Sequence, residues 1–420
     1  MQALLLLRQT AESADRASLL QLGGPGALVN LGDFASLIYK HEHTRSLSIG
    51  LDWQVENPVK LSNILAAKGE NSSESSNSLG FETEISSTPS KGNGYRQHVQ
   101  SLKYRLGESE YSFVRKSDKD EYELFTSPTA FSLKRVQGRP WPLPAPTKCY
   151  GFPDQVRAYY QNAGFLADLE LALEQQLKRI FYLGPLRAYP ERTYSWAGGQ
   201  PSDMGRSGEQ AVDALLAAKD RSLTISLGKG KKKPPLEEYV AKWLKEIGLI
   251  ESFSVAPVSD HSQIYQVKVR RVAGGPEVLI TDVGFGVSQI LPVIVLCFYA
   301  PKGSTIVLEQ PEIHLHPSVQ AGLADVLIDA TRRNGVQLII ESHSEHFVRR
   351  IQRRIAEQTL HAHEVAMYFA ENGTDGSSLT ELEIDLFGNI TNWPSDFFGD
   401  MLQEVIATQR AQRVPRHGAG

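Results

Sequence analysis

The sequence predicts an α/β protein with a mostly parallel sheet, into which antiparallel β segments and helices are inserted. Beyond Thr281, a glycine-rich turn is followed by alternating helix and strand patterns, which is typical of parallel sheets. Two short apolar strands, at residues 305–308 and 337–340, each run directly into polar residues. Upstream, residues 97–135 alternate as antiparallel hairpins do, and residues 154–181 show helical spacing of apolar residues.

The composition is that of an ordinary globular protein. Hydrophobic residues make up 41% of the 420 residues and charged residues 22%, so the chain can bury a large core. The net charge of −4 gives no global basic field for autonomous nucleic-acid binding. Two cysteines, Cys149 and Cys297, are too few for a disulfide framework. The longest apolar run, 290–300, is too short to span a bilayer, and no signal-peptide pattern precedes it, so we expect a cytoplasmic protein without membrane contact.

The first half of the chain predicts a helix, a strand and a Ser-rich loop. Residues 4–7 are a solid apolar block in a helix that has no N-cap before it. Residues 46–53 alternate apolar and polar side chains, which predicts a strand. Residues 69–94 are rich in Ser, Gly and Asn, which predicts an exposed loop. The proline-dense segment 140–153 then marks a boundary.

Two glycines precede the most apolar helix of the chain. Gly284 and Gly286 lie in the segment DVGFGVSQ, between a strand and the helix ILPVIVLCFY. A helix N-terminus offers amide donors and the positive end of a dipole, which suits phosphate, and glycine permits close approach to the backbone. Taken alone, the segment fits a simple tight turn better. Pro292 is expected near the first turn of the helix, or at a kink in it.

The strand at residues 305–308 ends in two acids and an amide, Glu309, Gln310 and Glu312. An acid at the end of a buried strand can hold Mg²⁺ beside phosphate groups, usually through water. The next position is where nucleotide hydrolases place the group that aligns or deprotonates the attacking water. Glutamine can orient water but cannot accept its proton as a carboxylate does. We therefore expect slow hydrolysis, unless Glu312 supplies the carboxylate; a capped loop without chemistry is the alternative.

A histidine follows the second apolar strand. His343 comes directly after residues 337–340, where an imidazole can hydrogen-bond the terminal phosphate of a nucleotide. Gly286, Glu309 and His343 are spaced so that each gap holds one helix and its turns before the next parallel strand. The spacing therefore predicts that all three groups emerge at the same edge of one sheet.

A metal site is a competing interpretation of the same residues. Several imidazoles and acids cluster along the sequence, namely His314, His316, His343, His346, Glu312 and Glu345. The pattern H-x-H can bind zinc or iron. Pro317 follows it at once and starts a new helix, and this disfavours the metal interpretation.

The three motifs resemble those of a known group of enzymes. VGFGVSQILP, IVLEQPEIHLHP and IIESHSEHF are similar to the signature, the Walker B with D-loop, and the switch-histidine motifs of ABC-type AAA ATPases related to the RecF, SMC and OLD proteins. GNITNWPSDFFGD, at Gly388–Asp400, resembles a subfamily with a C-terminal domain of unknown function, as does YLGPLRAYPERTY. The resemblance implies a P-loop NTPase head of the ABC type with mostly parallel sheet, antiparallel β insertions and helical insertions.

The resemblance also implies ligands and roles for individual residues. The implied cofactors are ATP and Mg²⁺, with Glu309 as the metal residue and Gln310, Glu312 and His343 as the catalytic residues. The nucleotide-contacting residues that it implies are Asp282, Gly284, Gly286, Ser288, Gln289 and His316. The Glu309-Gln310 pair departs from the usual Asp-Glu of ABC heads but resembles the pair of this subfamily.

The family mechanism implies a head-to-head homodimer that sandwiches ATP. Its closing and opening are expected to be coupled to nucleic acid or to an effector protein of the nuclease type, in DNA repair or phage defence. The implied segments are an N-terminal ATPase lobe (1–60), an antiparallel β insertion (61–150) containing the loop 69–94, a helical arm (151–262), a C-terminal ATPase lobe (263–370) and a C-terminal cap (371–420).

One expected motif is absent from the sequence. No segment reads G-x-x-x-x-G-K-[ST], the loop that supplies amide donors and a lysine to the β- and γ-phosphates. Met1 to Gln9 resemble the helix that follows this loop in the family. We expect either a gene product started at an internal methionine, with the loop encoded upstream, or a natural pseudo-ATPase that acts as a non-catalytic interaction module.

Overall fold

The computed structural model describes residues 1–66, 72–90, 95–116, 120–127, 129–138, 141–374 and 376–394. The chain divides into two compact units, Met1–Tyr182 and Leu183–Gly420. This division is coarser than the five predicted segments, which stay a prediction. The predicted boundary at residue 60 falls inside a strand, and the boundary between the units falls inside the predicted helical arm.

The first unit combines short helices with an antiparallel sheet. Its elements are α1 (Gln2–Glu12), α2 (Phe34–Leu37), β1 (Leu47–Ser62), β2 (Ser73–Pro89), β3 (Tyr95–Leu106), β4 (Ser109–Arg115), β5 (Tyr122–Thr126), α3 (Gln155–Tyr159) and α4 (Leu166–Lys178), with β6 (Ile180–Leu183) at the unit boundary. Strands β1 to β5 pair in chain order, each antiparallel to the next. The predicted hairpins are therefore confirmed as one five-stranded meander.

The predicted Ser-rich loop is wrong over most of its length, because residues 73–89 form β2. Leu79, Phe81, Thr83 and Ile85 alternate as buried residues on one face of this strand. The period of two that defines a strand is present at residues 79–85, but serines dominate the sequence on both sides of this stretch. The amino-acid composition of this segment predicted a loop. The segment forms a strand because its backbone pairs with β1 on one side and with β3 on the other.

The helix predicted at the start of the chain is confirmed as α1. Leu5 and Leu7 are fully buried. The Lys148 ammonium group donates to the carbonyl oxygens of Thr10, Ala11 and Ser13, at 2.8, 3.1 and 2.8 Å. A cation at the C-terminal end of a helix satisfies carbonyl groups that have no intrahelical partner and opposes the negative end of the dipole.

The second unit contains the alternating helices and strands. Its elements are β7 (Tyr194–Ser195), α5 (Ala211–Asp220), α6 (Leu236–Glu246), β8 (Ser252–Pro257), β9 (Ile264–Arg270), β10 (Glu277–Leu279), α7 (Phe285–Tyr299), β11 (Thr305–Glu309), α8 (Pro317–Asn334), β12 (Gln337–Glu341), α9 (Glu345–Ala356), β13 (Met367–Gly373) and β14 (Gly376–Leu382). As predicted, β11 and β12 pair in parallel. Strands β7 to β10 and the β13–β14 hairpin are antiparallel.

The core of this unit surrounds α7 and β11. Residues 287–298 of α7 are all buried, as are Ile306, Val307 and Leu308 of β11. A helix that is apolar on all sides is expected in a core. Pro292 lies in the interior of α7 and not in its first turn. A Cβ atom on Gly208, which has a φ of +74°, would lie 2.5 Å from the Pro292 Cβ, so the turn before α5 packs directly on this proline.

Membrane crossing is not supported by any helix of the described residues, since none combines the required length with the required apolarity. The predicted C-terminal cap is described only as far as residue 394, and its remaining residues, 395–420, lie outside the described residues.

Candidate functional site

The parallel pairing of β11 and β12 brings the ends of both strands to one sheet edge. The two strands pair in register from Thr305 and Gln337 to Glu309 and Glu341. The backbone N–H of Gln310 continues the ladder by donating to the Glu341 carbonyl oxygen at 2.9 Å. Gln310 has a φ of +44°, a left-handed conformation that a side chain makes costly. The chain therefore turns sharply at the residue that directly follows the strand.

Residues 310–316, which we call the β11 loop, are held by their own backbone. The Ile313 N–H donates to the Gln310 carbonyl oxygen, and the Leu315 N–H donates to the Glu312 carbonyl oxygen, both at 3.1 Å. His314 also has a positive φ, of +62°. The loop ends where His316 caps α8, with its Nδ1 accepting from the Ser318 N–H at 3.3 Å. One nitrogen of His316 is thus used by the fold.

Glu312 points inward from the β11 loop. Its side chain is buried, and Oε1 accepts a hydrogen bond from the His343 backbone N–H at 2.7 Å. Among the described residues, the other oxygen, Oε2, is buried without a hydrogen-bond partner. A buried carboxylate oxygen without a donor is costly. Glu312 therefore ties the β11 loop to the next loop, and the described residues supply no donor to its second oxygen.

Residues 342–344, which we call the β12 loop, present the histidine. The His343 side chain is 77% exposed, and its Nε2 lies 3.9 Å from the Glu341 Oε1. Ser344 caps α9, because its Oγ accepts from the Phe347 N–H at 3.0 Å. The buried Phe347 anchors this helix start. The backbone of the loop is therefore fixed, while the imidazole stands in solvent.

The start of α7 lies beside the β11 loop. Gly284 is the N-cap of α7, and a Cβ on it would meet nothing within 4 Å. A Cβ on Gly286 would lie 3.9 Å from the Leu315 Cδ2. The Phe285 ring is 45% exposed and packs edge to face on His314, with centroids 6.0 Å apart. The glycine turn therefore lies beside the β11 loop, but the prediction that it emerges from the same sheet is wrong, because the strand before it, β10, pairs with β9 in a separate antiparallel sheet.

Three of the predicted nucleotide-contacting residues are engaged in contacts within the chain. The Ser288 hydroxyl is buried and donates to the Phe285 carbonyl oxygen at 2.8 Å. Gln289 is also buried. Asp282 forms an exposed ion pair with Arg192, at 3.2 Å. At one sheet edge the structure brings together Glu309, Gln310, Glu312 and His343. Ser288 and Gln289 are instead buried in the core that surrounds α7.

Sequence reasoning missed Gln320, which lies on the first turns of α8. Its Nε2 donates to the Leu315 carbonyl oxygen at 3.0 Å, and its Oε1 accepts from the Ser344 hydroxyl at 2.6 Å. No sequence pattern indicated this contact, because glutamine is common on helix surfaces. The Ser344 cap had a signal, a Ser directly before a helix with Glu in its first turn.

The donor set at this edge suits a hard cation better than zinc. Glu309 and Glu341 carry carboxylates and Gln310 an amide, and oxygen ligands are those that Mg²⁺ prefers. Within the described part of the chain, no group of three or more His, Cys, Asp or Glu side chains is arranged to hold a metal ion. The acids therefore fit Mg²⁺ that keeps several of its own waters and is shared with phosphate.

Comparison with protein families identifies the class. Residues 217–348, which contain the start of α7 and both loops, match the family model described as an AAA ATPase domain. Residues 217–348 are therefore similar to an ATPase domain, and the mixture of parallel and antiparallel sheets agrees with the predicted α/β class. Residues 360–406 match a second model, a protein of unknown function (DUF3696). The two matches confirm the predicted resemblance to AAA ATPases that carry this C-terminal domain.

Solved structures similar to this chain include heads of SMC ATPases. One is the "SMC head domain from Thermotoga maritima", with 9% identity over 73% of this chain and 75% of that one, at a TM-score of 0.31. Another is an "Smc head domain" from Pyrococcus furiosus bound to part of ScpA, with 8% identity over 83% and 82%, at 0.31. TM-scores this low do not support an assignment of the protein class, which therefore rests on the two family matches alone. A search of curated proteins found no match.

Proposed function

We propose that this chain is an ABC-type ATPase head that binds ATP with Mg²⁺ and hydrolyses it slowly in a head-to-head homodimer. The observation that carries the proposal is the convergence of Glu309, Gln310, Glu312 and His343 at the shared edge of β11 and β12. Ligands of open α/β sheets bind outside the carboxyl ends of the strands. The match to an AAA ATPase domain supports the same reaction class.

Each group has a proposed role that follows from its position. Glu309 holds Mg²⁺, which neutralises phosphate charge when it is bound. The Gln310 side chain orients the attacking water. The exposed His343 imidazole donates to the terminal phosphate. Gly284 and Gly286, at the start of α7, present backbone donors to the nucleotide held by the second head.

The slow rate follows from the chemistry of Gln310. An amide can hold a water molecule in place but cannot take its proton, so general-base assistance is missing at this position. General acid–base catalysis contributes about 10²- to 10⁴-fold in rate. Substitution Gln310→Glu supplies a carboxylate without changing the length of the side chain. We expect this substitution to raise the rate of ATP turnover far more than it changes the free energy of unfolding.

The test is ATP turnover with Mg²⁺ by a form of the protein that carries the phosphate loop, measured for the wild type, for His343→Ala and for a control, His363→Ala. His363 lies in the 3₁₀ turn Ala362–Glu364, away from the strand ends. We expect His343→Ala to lower turnover by at least about 100-fold, the size found when one group that stabilises transition-state charge is removed. His363→Ala should match the wild type. Equal turnover by His343→Ala and wild type would contradict the assignment.

A pseudo-ATPase is the second candidate, and it is favoured by the absence of G-x-x-x-x-G-K-[ST]. Charge-assisted hydrogen bonds contribute roughly 1.5–3 kcal/mol each, so a head without this loop binds ATP very weakly. The coding DNA upstream of Met1, translated in frame, separates the two. A phosphate loop about ten residues before Met1 supports the ATPase. A stop codon without such a loop supports a regulatory module that dimerises without nucleotide.

The mechanical output of the proposed dimer is its closing and opening. We propose that this movement is coupled to nucleic acid or to an effector protein of the nuclease type. The net charge of −4 favours a protein partner over DNA bound by this chain alone. Turnover measured with and without duplex DNA tests this, and stimulation that vanishes at high salt would indicate direct phosphate contacts.

A further inference from the structure

Two side chains join the β11 loop to the β12 loop at separate points. Glu312 accepts the His343 backbone N–H through Oε1 at 2.7 Å. Gln320 accepts the Ser344 hydroxyl through Oε1 at 2.6 Å and donates through Nε2 to the Leu315 carbonyl oxygen at 3.0 Å. The bond from Glu312 holds the His343 backbone, and the bond from Gln320 holds the adjacent Ser344 side chain. We call Glu312 and Gln320 together the loop bracket.

The amide of Gln320 can make its two bonds in one orientation only. The Leu315 carbonyl oxygen is an acceptor, so it requires the NH₂ group. The oxygen then faces Ser344, whose hydroxyl donates to it while its Oγ also accepts from the Phe347 N–H. A glutamate at this position would keep the bond to Ser344 and place a second acceptor against the Leu315 carbonyl. The site thus selects an amide over a carboxylate of the same shape.

The bracket has a path to the start of α7. Leu315, one end of the Gln320 bridge, lies under Gly286, where a Cβ would be 3.9 Å from the Leu315 Cδ2. The adjacent His314 ring packs on Phe285, the first residue of α7. The contacts of the bracket therefore extend from the β12 loop to the β11 loop, and from there to the glycine turn.

We propose that Glu312 and Gln320 are positioning residues that join the two loops into one body and hold the His343 backbone where its imidazole can meet a phosphate. Glu312 acts through the His343 amide, and Gln320 acts through Ser344 and Leu315. Neither needs to touch the nucleotide. The catalytic consequence rests on the proposed ATPase function, whereas the mechanical role of the bracket does not.

Hydrogen exchange in the full chain without nucleotide tests the bracket directly. The readout is the exchange rate of the His343 and Ser344 amides in wild type, Gln320→Glu and Glu312→Gln. Gln352→Glu is the matched control, since Gln352 Nε2 makes the same type of bond, to the Gly388 carbonyl oxygen at 2.8 Å, elsewhere in this unit. We expect Gln320→Glu to speed exchange of the two amides about tenfold, the equivalent of losing one buried hydrogen bond.

The expected result for Glu312→Gln is a smaller acceleration, of a few fold, because a neutral oxygen still accepts the His343 N–H but more weakly. Gln352→Glu should leave both amides unchanged. Exchange at His343 within twofold of wild type in Gln320→Glu would overturn the proposal. So would an equal acceleration across α6, because that would show a general loss of stability and no local bracket.

Kinetics separate failure of the bracket from failure of the proposed function. In a nucleotide-hydrolysing form of the protein, Gln320→Glu should lower kcat about tenfold while KM stays unchanged, because the amide does not touch the nucleotide. A matching rise in KM would contradict a positioning role. Absence of turnover in the wild type would refute the ATPase proposal, while the exchange result for the bracket would still stand or fall by itself.

Discussion

Two glutamates, one in each unit, hold a neighbouring segment by the same kind of bond; Glu312 is buried and Glu170 is partly buried. Glu170 on α4 accepts the Phe152 N–H at 2.5 Å, and Glu312 accepts the His343 N–H at 2.7 Å. Glu170 has a cation beside it, since an Arg157 nitrogen lies 3.5 Å from its Oε2. Glu312 instead keeps Oε2 buried without a partner among the described residues.

The difference distinguishes Glu170, an acid that serves only the fold, from Glu312, an acid at the candidate functional site. Both carboxylate oxygens of Glu170 have partners within its own unit. The cost of removing this carboxylate from water therefore affects only the free energy of unfolding. Glu312 lies at the sheet edge where we propose that a nucleotide binds, and the described residues supply no donor to its second oxygen. A buried polar atom without a partner is rare in a folded protein and needs an explanation of this kind.

The largest expected effect concerns Glu170. Burial raises the pKa of Glu170 from 4.5 to about 7, and the Phe152 amide and Arg157 only partly oppose this. The folded chain therefore binds a proton that the unfolded chain releases between pH 4.5 and 7. The free energy of unfolding should fall as pH rises through this range, by at most about 3 kcal/mol, and stay level above it.

Glu170→Gln isolates this contribution, because the amide oxygen still accepts the Phe152 N–H and does not titrate. Urea denaturation at pH 5 and pH 8 should show a smaller pH dependence for the variant, with the gain in stability confined to pH 8. Glu174→Gln, one turn along α4, is the control, and an equal loss of pH dependence there would place the titration elsewhere.

A second effect concerns the bond that Glu312 makes. Glu312→Ala removes the acceptor of the His343 N–H in a partly buried hydrogen bond, which should lower the unfolding free energy by about 1 kcal/mol. Glu312→Gln keeps an acceptor and removes the buried charge, so the unfolding free energy should change by less than about 1 kcal/mol. Denaturant midpoints measure both. If alanine and glutamine were equally destabilising, the charge and not the hydrogen bond would be what the fold requires.

The smallest expected effect is on stability at the start of α7. Gly284 has a φ of −58°, and a Cβ there meets nothing, so Gly284→Ser should change the unfolding free energy by less than about 0.5 kcal/mol. ATP-dependent dimerisation, followed by light scattering, should nevertheless be lost if this glycine faces phosphate. Normal ATP-dependent dimerisation of Gly284→Ser would show that dimerisation does not require the open space beside Gly284.

Prediction from sequence succeeded where chain connectivity decides position. Glu309 and His343 each follow an apolar strand, and two parallel strands joined through a helix place their carboxyl ends together. It failed for β2, where the serines before and after residues 79–85 hid the alternation of Leu79, Phe81 and Ile85. It did not indicate that Ser288 and Gln289 are buried, because a motif gives the order of residues and not the side of the helix that meets the core; their contact with nucleotide stays a prediction.

The sequence by itself determined the alternation beyond Thr281 and the polar residues at the ends of β11 and β12. Those features depend on local periodicity and on the length of one helical crossover, both of which are written along the chain. Only the tertiary structure decided that Glu312 turns inward to the His343 amide and that Gln320 bridges Leu315 and Ser344. The bonds to His343 and Ser344 join residues that are 31 and 24 positions apart, and they form because packing of α8 against the paired strands brings two loops within hydrogen-bond distance.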